Sequence, residues 1–135
     1  MIHLDTSFLV DLLREQRRDR FGPASVCLEA LPEDEVLAVS VHVVCELMAG
    51  AHAAGAPPGE VDRIWRLCET LVVRCPDEAF AVHYGRLLAW LRASGKSVDT
   101  MDLLIGTAAV VDSAPLITHN TRHFSKVPGL QLTSY

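Results

Sequence analysis

The sequence predicts an α/β chain, an αβα sandwich with a short parallel sheet. Short β-compatible runs, Ile2 to Leu4, Val36 to Ser40, Val72 to Arg74 and Pro115 to Thr118, alternate with longer segments whose apolar residues recur at helical spacing. Strands separated in this way pair in parallel, with helices over both faces of the sheet. One segment, Leu103 to Val111, carries almost no polar residue, as expected of a helix packed on several sides. At 135 residues the chain reads as one domain, 1–135, long enough to bury a core without metal clips or disulfides.

The elements follow in order. Ile2-His3-Leu4 is a strand that runs into Asp5-Thr6-Ser7, a cluster suited to a strand end and a helix N-cap. Phe8, Leu9, Leu12 and Leu13 repeat at helical spacing, the charged stretch Arg14 to Arg20 ends or follows that helix, and Ala24 to Leu31 resumes the apolar rhythm. Pro32 and the acidic turn Glu33-Asp34-Glu35 precede the clearest strand, Val36 to Ser40. A helix runs from Ser40 through Glu46 toward Ala51, Gly55 to Gly59 is a loop, and the next helix covers Glu60 to Leu71. Val72 to Arg74 is a weak strand, and Pro76-Asp77 opens a long helix, Glu78 to Arg92, closed by Ser94-Gly95. After the apolar helix come a strand at Pro115 to Thr118 and a last one at Leu130 to Leu132.

Composition excludes several classes. Hydrophobic residues make up 50% and charged residues 21% of the chain, too apolar for intrinsic disorder. No membrane-length apolar window or signal-peptide pattern occurs, so the expected location is the cytoplasm. Cys27, Cys45, Cys68 and Cys75 form no CxxC pair, which points to buried free thiols. A formal net charge of -5 argues against a general electrostatic grip on nucleic acid, leaving a local basic patch or a metal for any such work.

Ligands of open α/β sheets gather beyond the carboxyl ends of the strands, and Asp5, Ser40 and Thr118 end three predicted strands. Asp5 is either a helix cap or a functional carboxylate, with Thr6 and Ser7 as hydroxyls beside it to orient it or to bind phosphate. Glu46 is the only formally charged residue from Val36 through Gly59. It either projects from a narrow exposed edge or requires a cation, a metal or several hydrogen bonds to remain ionised. Asp102 opens the apolar helix, where it either complements the helix dipole or joins the same cluster, and Asp99 resembles that helix's cap. Carboxylates gathered without nitrogen or sulfur suit Mg²⁺ or Mn²⁺ rather than zinc. His119 and His123 have the i, i+4 spacing of a zinc site but lack its companion glutamate, while His3, His42, His52 and His83 read as structural or exposed. Arg14, Arg17, Arg18 and Arg20 form the one dense basic run, either a solvated helix surface or a contact for RNA or an acidic tail. Arg122 is the better single candidate for a phosphate contact.

Four segments then carry a family resemblance: Leu4-Asp5-Thr6-Ser7, Ser40 to Leu47, Met101 to Ala108, and Leu116 to Phe124 with Val127 to Leu130. In this order and spacing they resemble PIN-domain ribonucleases, and more narrowly the VapC toxins of type II toxin-antitoxin pairs. The resemblance implies a PIN-like fold and a Mg²⁺- or Mn²⁺-dependent endoribonuclease that leaves 5′-phosphate and 3′-hydroxyl ends. Asp5, Glu46 and Asp102 match the family's acidic metal ligands, and Thr6 or Ser7 its supporting hydroxyl. A cognate VapB-type antitoxin and a homodimer are the implied partners, and the mean hydropathy of +0.23 agrees with apolar surface reserved for association. Where PIN domains often place a fourth acid, this chain has Asn120 and His123, with Asp99 as a possible substitute. That departure keeps a non-catalytic PIN-like binding module as the alternative. A phosphatase with Asp5 as nucleophile has less support, because no second Asp lies two residues on.

Overall fold

The computed structural model describes residues 1–135. Five parallel strands, β1 (Ile2–Leu4), β2 (Leu37–Ser40), β3 (Val72–Arg74), β4 (Leu116–Ile117) and β5 (Leu132–Thr133), form one sheet in the order β3-β2-β1-β4-β5. Seven helices connect and flank them: α1 (Thr6–Arg17), α2 (Pro23–Glu29), α3 (Val41–His52), α4 (Glu60–Cys68), α5 (Glu78–Ala93), α6 (Thr100–Val111) and α7 (Thr121–Phe124). The chain steps outward from β1 through β2 to β3, then returns to the far side of β1. Right-handed crossovers therefore put α1 to α4 over one face and α5 and α6 over the other, which is the αβα sandwich anticipated from sequence.

The strands are short because only their central residues must be dry. Leu4, Ala38, Val39, Leu116 and Ile117 are at most 1% exposed, as expected for a parallel sheet covered on both faces. Phe8, Leu9, Leu12 and Leu13 press one stripe of α1 onto this sheet, and Val43, Val44 and Leu47 do the same for α3. A buried polar side chain sits within β1 and is partnered there through one ring nitrogen. Buried His3 lies 2.7 Å from Asp112 Oδ2, the same oxygen that accepts from Arg74 Nε at 2.9 Å. Burial depresses the His3 pKa; Asp112, which burial alone would raise, is held low by its bonds to His3 and Arg74.

Helix α6 is buried along most of its length, as its composition predicts. Asp99 caps it by accepting from the Met101 N–H at 3.1 Å, and the buried Thr107 hydroxyl is satisfied by donating to the Leu103 carbonyl at 2.6 Å. Gly106 allows a close approach, since a Cβ there would stand 3.3 Å from Leu130 Cδ2. Helix α2 has no capping side chain of its own at Gly22. Glu15 of α1 supplies the cap instead, accepting from the N–H groups of Gly22, Ala24 and Ser25 and from the Ser25 hydroxyl at 2.6 to 3.2 Å.

Several expectations shift. Helix α4 stops at Cys68, β4 is confined to two residues, and β5 lies at Leu132–Thr133 rather than Leu130 to Leu132. Helix α7 was not anticipated, because four residues are too few to display a period. The cysteines are not uniformly buried: Cys45 and Cys75 are exposed, while Cys27 and Cys68 are half-buried against the edge of the core. No helix is long and apolar enough to cross a membrane.

Candidate active site

Strand β1 has β2 on one side and β4 on the other, and the chain reverses its direction of travel across the sheet at this point, so a crevice opens beyond the carboxyl ends of β1 and β4. Asp5 leaves β1 into that crevice, its N–H still donating to the Ile117 carbonyl of β4 at 3.0 Å. Although Asp5 occupies the N-cap position of α1, its side chain makes no capping bond. Its Oδ2 instead accepts the Ser7 hydroxyl at 2.7 Å and the Thr118 hydroxyl at 2.6 Å, while Oδ1 takes no donor. The residue is 2% exposed, so this is a desolvated carboxylate with one oxygen fixed and one uncommitted.

The two hydroxyls beside Asp5 divide between two acids. Ser7 serves Asp5, whereas Thr6 donates to Glu46 Oε2, bringing the second turn of α3 to the start of α1. Glu46 is half-buried and its pKa is raised, chiefly by burial and then by the charges of Asp5, Asp102 and Asp99, against the lowering effect of Thr6. Asp102 enters from the first turn of α6 and is also raised, by burial and by Asp99 and Asp5, with His123 opposing. His123 Nδ1 stands 3.5 Å from Asp102 Oδ2. The charges of Asp5 and Asp102 thus disfavour that of Glu46, the charge of Asp5 disfavours that of Asp102, and none of the three acids pairs with an arginine or lysine.

The donor chemistry of this cluster is that of a hard divalent cation: carboxylate oxygens, largely desolvated, without a counter-charge. No three acidic, imidazole or thiolate side chains stand at ligand spacing. The cluster fits a hard cation in its donor chemistry, although its carboxylates do not stand at ligand spacing. Asp99 contributes charge to it while its carboxylate is engaged in capping α6.

Other candidates lie around the rim. Asn120 is exposed and its side chain caps nothing, while its N–H donates to Thr118 Oγ1 at 2.9 Å. Arg122 is exposed on α7 and forms no ion pair. Arg14 is paired with Asp11 at 2.9 Å and Arg17 approaches Glu60 at 3.6 Å, whereas Arg18 is exposed and unpaired. His119 and His123 do not act together, since His119 Nε2 contacts Asp11 at 3.0 Å and His123 faces Asp102. Sequence reasoning missed Thr118 as the second hydroxyl on Asp5. Its place at a strand's carboxyl end was the available signal, but the register that sets β4 beside β1 was needed to use it.

A cluster of three carboxylates at the switch point of a five-stranded parallel sheet defines the class: the model of the PIN domain matches residues 2–130, and the chain belongs to that family. Within it the relatives are VapC proteins. The chain is 33% identical over 130 residues to ribonuclease VapC19 of Mycobacterium tuberculosis, covering 95% of each. Its fold superposes on VapBC-1 from nontypeable Haemophilus influenzae with a TM-score of 0.82 and 27% identity, over 99% of this chain and 98% of that one. It also matches VapBC2 from Rickettsia felis bound to a promoter DNA fragment, at a TM-score of 0.86 and 24% identity, over 100% of this chain and 99% of that one.

Proposed function

We propose that the chain is a divalent-metal-dependent endoribonuclease acting in the cytoplasm as the toxin of a type II toxin-antitoxin pair. The observation that carries the reading is Asp5, buried, fixed through one oxygen by Ser7 and Thr118, and facing Glu46 and Asp102.

Asp5, Glu46 and Asp102 would hold Mg²⁺ or Mn²⁺, which supplies activation of water and neutralisation of charge on the transferring phosphoryl group. The chain's own groups do the positioning. Ser7 and Thr118 hold Asp5, and Thr6 holds Glu46, so neither carboxylate must reorganise as the reaction proceeds. Arg122 on the rim takes a backbone phosphate. In the reaction, water adds to phosphorus, the bond from phosphorus to the 3′ oxygen breaks, and that oxygen leaves with a proton, producing 5′-phosphate and 3′-hydroxyl ends.

For the antitoxin, a groove of about 210 Å³ runs between α1, α3 and α4, with Val10, Leu13, Leu47 and Ile64 on its walls and Glu46 among its lining residues. It suits a peptide that places apolar anchors in the groove and an arginine or lysine against the acidic cluster. Exposed Trp65 and Trp90, at 53% and 44%, supply apolar surface consistent with a homodimer.

Growth is the test. Expression of the chain alone should arrest bacteria, Asp5→Asn should relieve the arrest, and co-expression of an adjacent antitoxin gene should do the same while forming a stable complex. Harmless wild-type expression in the native host lacking that gene would defeat the toxin reading.

A further inference from the structure

Beside the acidic cluster lies a second feature that the cleavage chemistry leaves unused. A cleft of about 270 Å³ is bounded by α1, by the Arg20 to Pro23 connection and by the chain end, with Arg14, Arg18, Arg20, Phe21, His119 and Tyr135 on its walls. Its charge is lopsided. Asp11 and Glu15 also line it, but Asp11 is engaged by Arg14, His119 and the Tyr135 hydroxyl, and Glu15 is consumed by the four donors at the start of α2. Arg18 and Arg20 are exposed and have no acidic partner. In a chain of net charge -5, two guanidinium groups without an acidic partner in one concavity offer positive charge to an anion.

The same cleft offers aromatic faces. Tyr135 stacks on His119 with ring centroids 3.9 Å apart, and its edge meets Phe8 at 4.8 Å, so the pair is a fixed plate. Phe21 is 63% exposed on another wall. An aromatic ring that exposed, next to unpaired arginines, matches how single-stranded nucleic acid is held, with bases stacked and phosphates met by cations. The cleft is also joined to the acidic cluster. The His119 N–H donates to Ser7 Oγ at 3.1 Å, and Ser7 donates to Asp5.

From this juxtaposition we infer that the cleft is a nucleotide subsite for single-stranded RNA: Arg18 and Arg20 bind the phosphate of a nucleotide flanking the cleaved bond, and its base stacks on Phe21 or the His119–Tyr135 plate. The inference rests on the ribonuclease reading, and it names the residues that select a strand rather than those that cut it. Arg14, already paired with Asp11, shapes the wall.

Binding is measured on the full chain in EDTA, by fluorescence anisotropy with a short oligoribonucleotide and with a copy carrying one abasic position. Activity is measured separately with Mn²⁺ on the oligoribonucleotide and on bis(p-nitrophenyl) phosphate, which is too small to reach both sites. The double variant Arg18→Ala/Arg20→Ala should weaken oligoribonucleotide binding about tenfold or more and reduce the salt slope by about 0.7, the value for one single-strand phosphate contact. Phe21→Ala should weaken binding about tenfold and lessen the preference for the intact over the abasic strand. Hydrolysis of bis(p-nitrophenyl) phosphate should be unchanged in both. Unaltered affinity and salt slope in the arginine variant would overturn the inference, as would loss of antitoxin binding without loss of RNA binding, which would make the cleft a protein contact. If the wild type cleaves neither substrate, the ribonuclease reading fails, while the binding series still decides whether the cleft holds RNA.

Discussion

Thr118 donates its hydroxyl to Asp5 at 2.6 Å across 113 positions of chain, joining the end of β4 to the end of β1. The bond is completely buried on the threonine side and fixes one oxygen of the acid on which the site is built. Thr118→Val should therefore lower kcat by about tenfold or more with little change in KM, at a stability cost of about 1–2 kcal/mol for the unsatisfied acceptor. Thr118→Ser should restore most of the rate. Steady-state kinetics with thermal melts separate this positioning role from a packing role, in which Val would be well tolerated.

Neutralising the acidic cluster should stabilise the metal-free protein. Glu46 and Asp102 have raised pKa values, so the folded state holds their protons to higher pH than the unfolded chain does. Their penalty is absent below the ordinary carboxylate range and grows as pH rises through the raised values. Glu46→Gln and Asp102→Asn should thus melt a few degrees higher than wild type in EDTA at pH 7, with the gain vanishing near pH 4, and both should abolish RNA cleavage.

At Asn120 the missing fourth acid can be supplied. Asn120→Asp adds an oxygen anion on the rim, next to the N–H that bonds Thr118, and should tighten Mn²⁺ binding in a calorimetric titration. Equal or weaker affinity would place this side chain outside the coordination sphere.

Glu15 predicts the opposite pH sign from the cluster. Despite the opposing effect of burial, its bonds from Ser25, Ala24 and Gly22 hold its pKa below the ordinary value. The stability it contributes is present above the unfolded-state pKa and is lost as pH falls through the depressed one. Glu15→Gln should cost about 1–2 kcal/mol at neutral pH by urea unfolding, and the difference from wild type should shrink on acidification.

The alternation of β-compatible runs with helical periods was enough for the sandwich, because parallel strands flanked by helices admit few arrangements. The acids were singled out for other reasons: Glu46 and Asp102 are charges in or at the start of apolar helices, which demand an explanation, and Asp5 stands at the carboxyl end of a strand. Sequence could not assign the hydroxyls. Thr6 and Ser7 are adjacent, yet one turns to Glu46 and the other to Asp5, a choice made by the packing of α3 against α1. The cleft was equally hidden, since Phe21, His119 and Tyr135 are brought together only by the return of the chain through β4 and β5. Helix α7 and the exposure of Cys45 and Cys75 depend on tertiary context that no local period encodes.

The three acids come from different layers: Asp5 hangs from the sheet, Glu46 from a helix on one face, and Asp102 from a helix on the other. An ion shared among them, as proposed, would act as a rivet through the whole sandwich. Its release would let α3 and α6 drift apart while the interior of the sheet stays closed. Amide hydrogen exchange should then quicken along the facing turns of those two helices, with β1 and β4 unaffected, so that loss of the proposed ion would register as a mechanical loosening of the molecule.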